Sequence, residues 1–160
     1  MILVFLTFAW AMAQTETAKD KAEPPQAEPA KAELEEENEH AILLQRAESG
    51  DVEAQYRLGM MYYIGSLIPQ DYEEAAKWLQ MAAERGNADA QFRYGCLLYY
   101  GRGVEQDFVQ SHMWFNLAAA ADYQGAKAAN EYREMVAKKM SEKEISKAQA
   151  LAKKWEPKIQ

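Results

Sequence analysis

Shifting the chain by 36 residues lays Gly50–Arg85 over Gly86–Ala121 without a gap. The identical pairs are Gly50/Gly86, Ala54/Ala90, Gln55/Gln91, Arg57/Arg93, Gly59/Gly95, Tyr63/Tyr99, Gly65/Gly101, Gln70/Gln106, Asp71/Asp107, Trp78/Trp114, Ala82/Ala118 and Ala83/Ala119. Tyr56/Phe92, Ile68/Val104 and Tyr72/Phe108 change conservatively. A unit of this length cannot bury its own apolar side, so copies must stack into a solenoid. Solenoids mostly offer a long surface to other macromolecules. The period therefore constrains both the fold and the function class.

Each copy reads as two helices. Helix A is expected over 52–64 and 88–100, with Asp51 and Asn87 as N-caps and Gly65 and Gly101 as left-handed C-caps. Helix B is expected to follow Asp71 and Asp107, where Glu74 and Gln110 three residues on complete a capping-box pattern. Glu39–Gly50 aligns with Ala75–Gly86, so a half-repeat helix over 33–49 precedes the first full repeat at 50–85. The second repeat spans 86–121, and residues 122–160 supply two capping helices. These run from about Tyr123 to Lys138 and from a Ser141–Glu144 capping box to just before Pro157. The solenoid needs such end units to cover its open apolar faces.

Residues 1–13 carry no charged side chain and end in Ala11-Met12-Ala13, the small-x-small pattern of a signal-peptidase site. The apolar run is about half the ~20 residues a spanning helix requires. A signal peptide cleaved after Ala13 is expected, with no integral span left behind and a periplasmic or secreted location. Residues 14–32 are rich in Ala, Glu, Lys and Pro and read as a disordered acidic tether. Net charge is −7. No basic cluster is flanked by the aromatic and glycine patterns of nucleic-acid modules, so a nucleic-acid partner is not expected. Cys96 is the sole cysteine, which excludes an internal disulfide.

Ala54, Leu58, Gly59, Tyr62, Gly65, Asp71, Ala75, Trp78, Ala82, Ala83 and Gly86 carry a pattern that resembles the Sel-one-like repeat, a relative of the tetratricopeptide repeat. Ala90, Gly95, Gly101, Gly103, Val104, Asp107, Trp114, Ala118 and Ala119 carry it in the second copy. Leu67, Tyr94, Leu98 and Asp122 depart from it. The resemblance implies an all-α fold, a short right-handed α-solenoid of antiparallel helix pairs with capping helices at both ends. It also implies an adaptor or scaffold for a protein or peptide partner. Exported bacterial members of the family serve in envelope assembly, signalling or host contact.

Helix A has two apolar stripes. Ala54, Leu58, Met61 and Tyr62 should pack on helix B. Glu53, Tyr56, Met60 and Tyr63 form a second stripe, matched by Asp89, Phe92, Cys96 and Tyr99 with Tyr100 alongside. By similarity to tetratricopeptide repeats, this stripe would line a groove that binds a peptide, with Cys96 as a partly exposed thiol. The competing reading buries the stripe between repeats. His40 and His112 fall in no metal-ligand spacing, and no phosphate loop, nucleophile elbow or paired-carboxylate motif appears. No metal, cofactor or catalytic residue is expected. The first function expected is an exported interaction adaptor. The alternative is an envelope spacer that makes contacts through its tether and basic C-terminal helices, and a hydrolase with an unrecognised site ranks last.

Overall fold

In the computed structural model, residues 29–65 and 67–158 are described. The signal sequence and the tether up to residue 28 lie outside them. The chain divides into two units, Met1–Glu35 and Glu36–Gln160, and the packing below is that of the second. The described residues form seven α-helices and no strand. In order they are α1 (Pro29–Glu48), α2 (Val52–Ile64), α3 (Tyr72–Glu84), α4 (Ala88–Tyr100), α5 (Phe108–Ala120), α6 (Ala126–Ala137) and α7 (Glu142–Lys154). Helix A of the two repeats is α2 and α4, with the expected bounds. The first helix starts at Pro29 rather than Glu33, because proline is accepted in a first helical turn and Ala30, Lys31 and Ala32 are strong helix formers.

The repeated residues act as local devices. Asp51 and Asn87 side chains accept from Ala54 N at 3.0 Å and Ala90 N at 2.8 Å. Gly65 and Gly101 end their helices at φ 73° and 65°, where a side chain would be strained. Gly59 lets α2 meet α3 closely, since a Cβ there would lie 2.7 Å from Leu79 Cγ. Gly95 does the same for α4 and α5, 2.9 Å from Phe115 Cε1. Buried Gln55 and Gln91 donate to the carbonyls of Ala47 and Ala83 at 3.0 and 3.2 Å. Each thereby fastens helix A to the preceding helix B and satisfies a carbonyl inside the core.

The capping boxes expected on helix B form only in part. Asp71 and Asp107 do cap α3 and α5. Their own backbone N–H groups, which the box would hand to Glu74 and Gln110, already donate to Tyr62 O at 3.0 Å and Leu98 O at 3.1 Å. Glu74 instead accepts from Trp78 Nε1 at 3.1 Å. The Ser141–Glu144 box is complete, with Ser141 N donating to Glu144 Oε2 at 2.8 Å.

The repeat pattern stops at α6. One period beyond Ala90, Tyr94, Leu97 and Leu98, the residues that pack α4 on α5, stand Ala126, Asn130, Arg133 and Glu134. That face cannot hold a third helix B, so α7 turns back and packs on α5. Ala148 of α7 is fully buried in one core with Ala82, Leu98, Met113 and Trp114. Trp155 meets Trp114 at 6.2 Å, and beyond it Lys158 donates its backbone N–H to Glu84 O at 2.8 Å. This C-terminal clasp covers α5 on the helix-B side and reaches the end of α3.

Candidate functional site: the helix-A face

The stripe singled out from sequence divides into three environments. On α2, Tyr56 and Met60 are half-buried and line a cleft of about 260 Å³ with Glu39, Arg57, Ile64 and Leu67. Arg57 and Glu39 pair across it at 2.9 Å. Ile64 is 58% exposed, an unusual position for a large aliphatic side chain next to a helix C-cap. Burial raises the Tyr56 hydroxyl above the ordinary phenol pKa, and the Asp89 carboxylate adds to the shift while Arg93 opposes it. Glu53 and Asp89 are exposed at the rim.

The middle of the stripe in the second repeat is interior. Phe92 lies between Phe115 and Tyr132, with ring centres 5.7 and 5.3 Å away. Cys96 is only 7% exposed and shares a core with Phe115 and Val136. The expectation of a partly exposed thiol is therefore corrected: α6 covers it. Burial pushes its pKa up to about 12, so it is a small apolar core group and not a nucleophile at neutral pH. Here the competing reading of buried inter-repeat core holds.

The far end of the stripe is open again. Tyr63 and Tyr99 are half-buried and Tyr100 is 49% exposed. Tyr63 packs edge-on to Tyr72 at 5.6 Å, and Tyr99 to Tyr100 at 4.8 Å. The sequence reading missed Tyr72, Arg102, Phe108, Tyr132 and Lys139, which share this end. Tyr72 and Phe108 follow the cap aspartates at equivalent repeat positions, a signal visible in the period. Tyr132 comes from α6 and Lys139 from the turn that follows it, and neither carried such a signal.

The two histidines do not meet. His40 lies beside Tyr62, 3.5 Å from its hydroxyl. His112 is 3% exposed, and its Nδ1 finds no hydrogen-bond partner among the described residues. Burial, followed by the nearby Arg133 charge, lowers its pKa. Among the described residues, no group of three or more His, Cys, Asp or Glu side chains is arranged to hold a metal ion. No described helix is long and apolar enough to cross a membrane.

A short stack of antiparallel helix pairs, with α7 packed on its helix-B side and aromatic side chains on its helix-A side, defines a short α-solenoid. The Sel1 repeat family matches residues 52–87 and 88–123, so the chain carries two Sel1 repeats. Among solved structures it is similar to a protective antigen of uropathogenic Escherichia coli that displays an SLR fold. Identity is 33%, the TM-score is 0.68, and the match covers 72% of this chain and 24% of that one. It is also similar to a Sel1 repeat protein from Oxalobacter formigenes, at 37% identity and TM-score 0.55, over 59% of this chain and 26% of that one. The chain thus spans about a quarter of the length of each. Comparison with curated proteins finds no match. Sel1-repeat proteins are in general scaffolds for protein–protein interaction, and typically non-enzymatic.

Proposed function

We propose that this chain is an exported interaction scaffold that takes a protein segment on the helix-A side of its repeats. The observation that carries the reading is the contrast between the two sides. On the helix-B side α7 packs on α5 and the cleft of about 430 Å³ between them is lined mostly by polar residues, Asn116, Ser146, Gln149 and Lys153, whereas the helix-A side keeps the aromatic and apolar Tyr56, Met60, Ile64, Tyr63, Tyr99 and Tyr100 partly or largely accessible. Aromatic and methionine surface with a charged rim is the composition of peptide-binding hot spots. Export rests on the apolar opening run and its Ala11-Met12-Ala13 ending.

Two measurements test it. Expressed from Met1, the exported protein should have the mass of a chain starting at Gln14, and retention of Met1 overturns the export reading. The chain from Gln14, cross-linked in an envelope extract, should yield a partner that a folded Tyr63→Ala/Tyr99→Ala variant binds at least about tenfold more weakly. Undiminished binding by that variant removes the helix-A face from the account.

A further inference from the structure

Where α2 and α4 end, aromatic rings form a belt in two groups, which Arg102 bridges. Tyr63 meets Tyr72, and Tyr99 meets both Tyr100 and, at 5.8 Å, Phe108. Two cations lie on this belt, each shared between rings of different helices. The Arg102 guanidinium carbon is 5.4 Å from the Tyr72 ring centre and 5.2 Å from that of Tyr100. Lys139 Nζ is 5.9 Å from Tyr99 and 6.0 Å from Phe108. Ring faces hold a cation in place at a cost in freedom already met before a ligand arrives.

Neither cation is paired with a described carboxylate, although Arg46, Arg57, Lys77 and Lys158 all are. Glu105 and Asp107 sit in the same loop as Arg102 without closing to ion-pair distance, and Asp107 is engaged as the cap of α5. A guanidinium resting on a ring keeps its in-plane N–H donors for an incoming carboxylate. Both cations therefore have ion-pairing capacity in hand, on a chain whose net charge is −7.

We propose that Arg102 and Lys139, seated on the Tyr72–Tyr100–Tyr99–Phe108 belt, anchor an acidic peptide in which carboxylate side chains alternate with apolar ones. The apolar side chains pack on the rings and the carboxylates meet the two cations. This deepens the scaffold reading, on which it rests, by assigning the chemistry of the partner. Two cations seated on the rings suit spaced carboxylates better than a nucleic-acid backbone, which needs a longer row of them and is opposed by the chain's net charge of −7.

The test uses the chain from Gln14 and a fluorescein-labelled peptide of about twelve residues alternating Glu with Leu, with its Gln-for-Glu twin as control. By anisotropy the Glu peptide should bind at least about tenfold more tightly than the Gln twin. Its affinity should fall by about fivefold or more between about 50 and about 300 mM salt. Arg102→Gln/Lys139→Gln, with an unchanged circular dichroism spectrum and melting temperature, should bind both peptides alike. Equal binding of the twins to the wild type, an undiminished preference in the variant, or no binding of the Glu peptide each overturns the proposal. So does tighter binding of an oligothymidylate of matched length. If the Gln twin binds and is lost in Tyr63→Ala/Tyr99→Ala while charge makes no difference, the acidic anchor falls and the helix-A face stands.

Discussion

Gln70 donates to the Tyr63 carbonyl at 2.8 Å, and Gln106, one period later, donates to the Tyr99 carbonyl at 2.7 Å. The two repeats agree at that level in caps, glycines and buried glutamines. They part company where a neighbour changes. Tyr56 is half-buried with Asp89 and Arg93 nearby, and its counterpart Phe92 has lost the hydroxyl where Tyr132 covers it. Met60 lines an open cleft, and its counterpart Cys96 is small enough to fit under α6. Gly103 presses on the α3 backbone so closely that a Cβ would fall 2.0 Å from Tyr72 O, whereas its counterpart Leu67 packs against the Leu43–Trp78 core. Identical residues build the unit. The differing ones record what sits beside it.

The largest effect that would probe this comparison is at the paired tryptophans, each 5% exposed. Replacement by Ala should cost about 3–5 kcal/mol at either site. The loss should be greater at Trp114, which touches Tyr94 and Trp155 edge-on, and such aromatic pairs add about 0.5–1.5 kcal/mol. Urea unfolding of Trp78→Ala and Trp114→Ala measures both, with Trp→Phe variants in reserve if either fails to fold. An equal or reversed order would show that the α7 clasp contributes little.

A smaller effect concerns His112, whose counterpart is Ala76. The folded state keeps the imidazole neutral because its pKa is lowered from 6.5. Below that pH the unfolded chain binds a proton that the folded chain does not, so stability falls as pH drops. The urea midpoint should decline between about pH 7 and about pH 5, and the decline should shrink in His112→Leu. An unchanged slope would place the titration elsewhere.

The smallest effect needs only a thiol reagent. At about pH 8 native Cys96 should not react, whereas a Met60→Cys variant should expose one fast-reacting thiol. Rapid labelling of Cys96 would mean that α6 opens readily.

Much of the fold was legible because each repeated device is local. A cap, a left-handed glycine or a small residue at a helix crossing declares itself within a few residues, and the second copy confirms it. The bounds of α2 and α4 followed from such signals. Cys96 was misplaced for the opposite reason. Periodicity shows which side chains share a face but not which neighbour lies on it, and α6 has left the repeat pattern. The partial boxes at Asp71 and Asp107 failed similarly, since the carbonyls that claim their N–H groups belong to the preceding helix. Arg102 and Lys139 converge only through the turn from α5 to α6, which no spacing along the chain discloses.

The return of α7 has a consequence for how the molecule comes apart. A plain stack of repeats gains its stability from nearest neighbours, so end units can fray while the rest persists. Here the chain's end joins α5 to the last turn of α3, where Lys158 also pairs with Glu84 at 2.5 Å. Detaching the second repeat therefore also requires releasing the tail beyond α7 from Glu84. The tail thereby adds a link between the two repeats beyond the packing of α3 on α4, which opposes the fraying of either one alone.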